Sequence, residues 1–123
     1  MEKENLFLSN KNTVLVTTDG GARGNPGPAA CGFTINGKGY GEYLGKTTNN
    51  VAEYQGVIMA LKKLKSLGGK EKAGATDVEV RMDAELLVKQ FNNEYKISVE
   101  HLMPLYVAVH NLTLDFKSIK FIH

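Results

Sequence analysis

The alternation of apolar and polar positions divides the chain into short, separable segments. Thr13 to Thr18 (TVLVTT) is β-branched and apolar and runs into a glycine and proline cluster, which predicts a buried strand that stops at Asp19. Ala29 to Ile35 and Gly39 to Leu44 flank Asn36-Gly37, a pair that tolerates positive φ and predicts a two-residue hairpin turn between a second and a third strand. Val51 to Leu67 carries apolar residues at 51, 54, 57, 58, 61 and 64, the spacing of one helical face, and Gly68-Gly69 should end that helix. Gly68 to Ala75 then reads as a flexible connection. Asp77 to Met82 alternates as a strand, Ala84 to Asn92 reads as a short helix, and Val99 to Phe116 is periodic at 99, 102, 106, 109 and 112. Proline lacks a backbone donor and is tolerated in a first turn, so the regular helix should start near Pro104, with Ser98 to Met103 as a looser lead-in. Ile119 to Ile122 supplies a last strand.

The resulting order, β-β-β-α-β-α-α-β, predicts an α/β domain in which the long helix crosses over onto a parallel strand, giving a mixed sheet flanked by helices. The domain is expected over residues 13–123, after a loosely held tail over 1–12 that is polar apart from Leu6 to Leu8. A chain of 123 residues with 42% hydrophobic content suits a single core. No run of about 18 apolar residues occurs, and the opening MEKENLFLSNKN has too short an apolar stretch for a secretory signal, so a cytoplasmic protein is expected. Cys31 is the lone cysteine, which excludes an internal disulfide. A net charge of +2 does not announce a nucleic-acid partner, and the local group Lys62, Lys63, Lys65, Lys70 and Lys72 reads as a solvated helix end or a phosphate contact.

Glu53 lies at the margin of the helical face that should be buried, where a carboxylate needs a partner. The bland account is a capping box with Asn50 as the cap. Asp19 and Asp83 each follow a predicted strand, and parallel sheets bind ligands at their carboxyl ends. Each has a local alternative as well, Asp19 starting the Asp-Gly-Gly turn and Asp83 capping the helix from Ala84. If the two strands are adjacent and parallel and the long helix packs over them, the three carboxylates converge. Such a group repels itself unless a hard divalent cation sits among its oxygens, which points to Mg²⁺ or Mn²⁺. Two such ions would suit an in-line phosphodiester displacement. Cys31, His101, His110 and His123 show no spacing suited to zinc. Gly20, Gly21 and Gly24 would let backbone approach a nucleotide closely, or form a tight turn only.

The blocks TDGGARGNPG (Thr18 to Gly27), TNNVAEYQGVIMAL (Thr48 to Leu61), RMDAELLVKQFNNEYK (Arg81 to Lys96) and IKFIH (Ile119 to His123) resemble the type 1 ribonuclease H family, especially its compact members without the basic protrusion. The resemblance implies a ribonuclease H-like five-stranded mixed sheet, its first three strands antiparallel, and a metal-dependent endonuclease that cuts RNA in RNA–DNA hybrids. It implies metal-holding roles for Asp19, Glu53 and Asp83, minor-groove contacts for Asn25, Asn49 and Asn50, and a phosphate contact near Thr48, with Gly20 and Arg23 as further substrate contacts. Amides can bond ribose hydroxyls and base edges, although turn and helix capping would also employ them. The sequence departs from the family in two places: Met82 and Ala84 flank Asp83 where relatives often have small and serine residues, and no acidic residue follows Asp115, so the family's fourth aspartate is missing. The expectation is reduced turnover, the alternatives being a hybrid-binding module that does not cut, a purely structural domain, or a last helix supplied from elsewhere. Monomer and dimer stay open.

Overall fold

The structure is a computed structural model and describes residues 13–123. The expected tail over residues 1–12 lies outside the described residues. Among the described residues five strands form one sheet: β1 (Thr13–Ala22), β2 (Gly27–Ile35), β3 (Lys38–Thr47), β4 (Asp77–Met82) and β5 (Ser118–Ile122), in the order β3-β2-β1-β4-β5. β1, β2 and β3 are antiparallel neighbours, whereas β4 is parallel to both β1 and β5. Three helices and one short 3₁₀ turn join them: α1 (Asn49–Gly74), α2 (Glu85–Phe91), the turn Glu100–Leu102, and α3 (Met103–Thr113).

The element order and the mixed sheet match the sequence pattern, with differences at the boundaries. β1 does not stop before Asp19. Its parallel ladder with β4 ends at the pair Thr18–Met82, but the antiparallel ladder with β2 continues through Asp19–Gly32 to Ala22–Ala29. The small side chains of Gly20, Gly21 and Ala22 are acceptable there because their backbone groups find partners across β2. The expected flexible connection is also corrected. Helix resumes after a break at Gly69, whose φ of 79° and ψ of 173° suit only glycine, and it continues to Gly74 because Ala73 is fully buried in the core. Asn36 and Gly37 both have positive φ, as the hairpin turn requires, and Pro104 falls in the first turn of α3.

One sheet face carries the core. Val14 and Val16 of β1, Phe33 and Ile35 of β2, and Val78 and Val80 of β4 pack against Tyr54, Val57, Leu61 and Leu64 of α1. The strand period of two puts Thr17, Thr34, Glu79 and Arg81 on the opposite, more open face. Phe91 of α2 joins the core edge-on to Tyr54, with ring centroids 5.3 Å apart. Among the described residues no helix is long and apolar enough to cross a membrane.

Candidate active site at the carboxyl end of the parallel strands

The last rung of the parallel ladder is Thr18–Met82, so Asp19 and Asp83 are the next residues on two adjacent strands running the same way. They therefore emerge side by side at the carboxyl end, both exposed. α1 crosses over them. Its approach is set by glycine: a Cβ on Gly20 would lie 2.4 Å from the carbonyl oxygen of Ala52, and one on Gly56 would lie 3.3 Å from the carbonyl oxygen of Asp19. With hydrogen in those places, the helix settles close enough for the Gly20 N–H to donate to Glu53 Oε1 at 3.2 Å, while it also reaches Asp19 Oδ1 at 2.9 Å. One backbone donor thus joins two of the three carboxylates.

The charges register this proximity. Burial pushes the Glu53 carboxyl above its ordinary value, the Gly20 N–H opposes that shift, and the negative charges of Asp19 and Asp83 add to it. The three acids read from separate stretches of sequence are electrostatic neighbours. Among the described residues, no three His, Cys, Asp or Glu side chains form a ready-made coordination shell in this conformation. A depression of about 660 Å³ opens beside Asp19 and Asp83 on the more open sheet face, lined also by Thr17, Thr34, Arg81 and His123. His123 lies 3.1 Å from the Asp83 carbonyl oxygen through Nε2.

The local alternatives fare differently from the sequence reading. Thr48, not Asn50, is the N-cap of α1, accepting from the Val51 N–H at 3.2 Å. The capping-box account of Glu53 therefore fails, since Glu53 stands beyond the third helical position and bonds Gly20 instead. Ala84 occupies the cap position of α2 and no side chain caps that helix, so Asp83 is not employed there.

Asn25 and Asn49 interlock: the Asn49 N–H donates to Asn25 Oδ1 at 3.0 Å, and the Ala22 N–H donates to Asn49 Oδ1 at 2.7 Å. This clasp fastens the β1–β2 loop to the start of α1, leaving both carboxamide nitrogens as donors at an exposed surface. Asn50 and Arg23 are exposed nearby in sequence. Gly20 has its missing side chain turned toward α1, so it shapes the seam between strand and helix. Gly56 was not singled out from the sequence. Its signal was a glycine one turn beyond Glu53 inside an otherwise apolar helical face.

A model of the RNase H family matches residues 11–111. The chain belongs to the RNase H family. As an RNase H domain it is 36% identical over 115 residues to a bifunctional protein of Mycobacterium tuberculosis, Rv2228c, a match that takes in 88% of this chain and 30% of that protein. It is 35% identical over 104 residues to ribonuclease HI of Halobacterium salinarum, 80% of this chain and 49% of the relative. The chain thus spans half or less of these curated relatives. Among solved RNase H structures, LC11-RNase H1 in complex with an RNA/DNA hybrid is similar with a TM-score of 0.82 and 38% identity, covering 89% of this chain and 83% of that one. The N-terminal RNase H domain of Rv2228c gives a TM-score of 0.79 and 35% identity, covering 89% and 85%. The mixed sheet described above is the RNase H fold.

Proposed function

We propose that this RNase H domain hydrolyses the RNA strand of RNA–DNA hybrids, leaving a 3′-hydroxyl and a 5′-phosphate, with Asp19, Glu53 and Asp83 holding Mg²⁺ or Mn²⁺. The observation that carries the reading is the shared Gly20 N–H between Asp19 and Glu53, with Asp83 on the adjacent parallel strand. Family membership and the hybrid bound by LC11-RNase H1 support the substrate.

The donor set fits a hard divalent cation. All three groups offer oxygen, and the half-buried Glu53 is disfavoured as an anion by its own desolvation and by its two neighbours, a penalty that a cation would relieve. Held by Asp19, Glu53 and Asp83, such ions would supply charge neutralisation for an in-line phosphodiester displacement. The protein's own part is positional. The Gly20 N–H orients Glu53 and Asp19, the β1–β2 loop and the start of α1 present the substrate contacts proposed for Gly20, Arg23, Asn25, Thr48, Asn49 and Asn50, and the clasp between Asn25 and Asn49 keeps those two segments in register. Amide donors held at that surface suit ribose 2′-oxygens and minor-groove acceptors, which distinguish RNA from DNA.

A second reading, a module that binds hybrid without cutting it, is favoured by the lack of a ready-made coordination shell among the described residues. Incubating end-labelled hybrid with the protein and Mg²⁺ or Mn²⁺ separates the two. Cleavage of the RNA strand that falls by about 100-fold or more in Asp19→Asn is expected, because a neutral amide holds less firmly the cation that would stabilise transition-state charge. Intact RNA with wild-type protein, or full cleavage by Asp19→Asn, would reject the nuclease reading. Binding without any metal-dependent shortening of the RNA would establish the second.

A further inference from the structure

The helix α3 has two apolar sides. Its inner side is set by the buried Leu102 and Val109, with Leu105 and Leu112 partly buried against the core, where α3 packs on α1. At about 100° per residue those positions share one side of the helix, and Met103, Val107, His110 and Leu114 fall within about 60° of arc on the opposite side. Leu114 keeps helical backbone angles as the C-terminal cap, so this outer stripe runs unbroken from the first turn to the last. Met103, Val107 and Leu114 are 48%, 53% and 71% exposed, and His110 is exposed with them. A surface helix ordinarily turns charged residues to water on that side. Here no Asp, Glu, Lys or Arg occurs from 101 to 114, a composition that belongs to a helix covered on both sides.

The spacing indicates what covers it. Steps of four, three and four residues are those of the seam between two paired helices. Laid antiparallel against a second copy about a twofold axis between residues 108 and 109, Met103 faces Leu114 of the other copy and Val107 faces its His110. The same axis brings Glu100, in the 3₁₀ turn before α3, opposite Lys117, just after the helix. Both are exposed, and neither makes an ion pair among the described residues. Symmetry forms that pair twice, one at each end of the seam, and sets the two helix dipoles in opposition. The seam between them contains no carboxylate, ammonium or guanidinium, so placing it against itself brings no like-charge repulsion.

We propose that the outer stripe of α3 is a self-association surface, along which two copies of this chain pair antiparallel through Met103, Val107, His110 and Leu114, with Glu100 of each copy meeting Lys117 of the other. A seam of four side chains per copy stands at the small end of specific interfaces, so the dimer is reversible.

Sedimentation velocity of the full chain at pH 8, over concentrations from about 1 μM to 1 mM, tests it. A sedimentation coefficient that climbs from the monomer toward the dimer value is expected. Val107→Glu should raise the dimer Kd by about 10-fold or more, because the symmetry sets two carboxylates in an apolar seam. Its circular dichroism should match wild type, since the site is exposed in the single copy. Glu100→Lys should raise Kd by about 3- to 10-fold, and adding Lys117→Glu to it should return Kd to within about 2-fold of wild type, because the reversed pair attracts again. A wild-type monomer at every concentration overturns the proposal and leaves the stripe to a partner other than this chain. A dimer indifferent to Val107→Glu places the contact elsewhere and overturns it as well, and a double charge reversal that fails to restore association overturns the antiparallel register. None of these readouts involves cleavage, so they stand or fall apart from the nuclease reading.

Discussion

Thr18 sits one residue before Asp19 with its side chain buried, and its hydroxyl has no hydrogen-bond partner among the described residues. An orphaned hydroxyl costs desolvation energy with no return, so Thr18→Val, which keeps the branched shape, should stabilise the fold by about 1 kcal/mol. A chemical denaturation midpoint that fails to rise would show that the hydroxyl is satisfied in solution. Tyr54 presents the opposite case. It is fully buried and its hydroxyl donates to Gln90 Oε1 at 2.6 Å, so Tyr54→Phe strands a buried acceptor and should cost about 1–3 kcal/mol. Burial, and secondarily the nearby Tyr106, pushes the Tyr54 phenol up to about 12. The folded state therefore keeps this proton when the unfolded chain has lost it. That contribution to stability is complete below pH of about 10 and is lost as pH rises toward 12. Alkaline unfolding of wild type should show this loss, and Tyr54→Phe should lack it.

At the scale of elements, the seam between β1 and α1 decides whether Glu53 reaches Asp19. Gly20→Ala would drive a methyl to 2.4 Å from the Ala52 carbonyl oxygen, backbone against backbone, whereas a Cβ on Gly21 meets nothing within 4 Å. The two neighbouring substitutions should therefore differ sharply in thermal melting. Gly20→Ala is expected to cost about 1–3 kcal/mol and to lower cleavage, and Gly21→Ala to leave stability within about 0.5 kcal/mol. Equal melting temperatures for the two would remove the steric account of helix placement. Gly69 tests a separate joint. Its φ of 79° with ψ of 173° is strained for any side chain, so Gly69→Ala should destabilise by about 1–3 kcal/mol although its Cβ would meet nothing within 4 Å.

For the whole molecule, Cys31 provides a natural probe of opening. It is buried on β2, its thiol lies 3.6 Å from Met59 Sδ, and burial, with the charge of Glu42, raises its thiol above the ordinary value. The reactive thiolate is thus scarce and covered in the native fold. Alkylation by iodoacetamide at neutral pH should be slow in buffer and fast in denaturant, and should track unfolding measured by circular dichroism. Rapid labelling of the native protein would mean that β2 opens locally without global unfolding.

Much was legible in the letters because local physics has a period. Periodic or continuous apolar runs marked the first and fourth strands and the helices, Asn36-Gly37 marked the hairpin between the second and third strands by tolerance of positive φ, and Pro104 marked a helix start by its missing donor. The acidic residues stood out for the same local reason, as charges at strand ends or on a half-buried helical face. Other features depended on partners distant in sequence. Nothing near Asp19 showed that β1 would continue past it, because that extension is held by β2. Ala73 gave no sign that helix would resume after Gly69, because its reason is a core contact. The choice between a capping role for Glu53 and a shared hydrogen bond with Asp19 was settled by how closely a helix can approach a strand that lacks Cβ atoms. Side-chain type and spacing are written in the chain, whereas distances between segments exist only after packing has closed them.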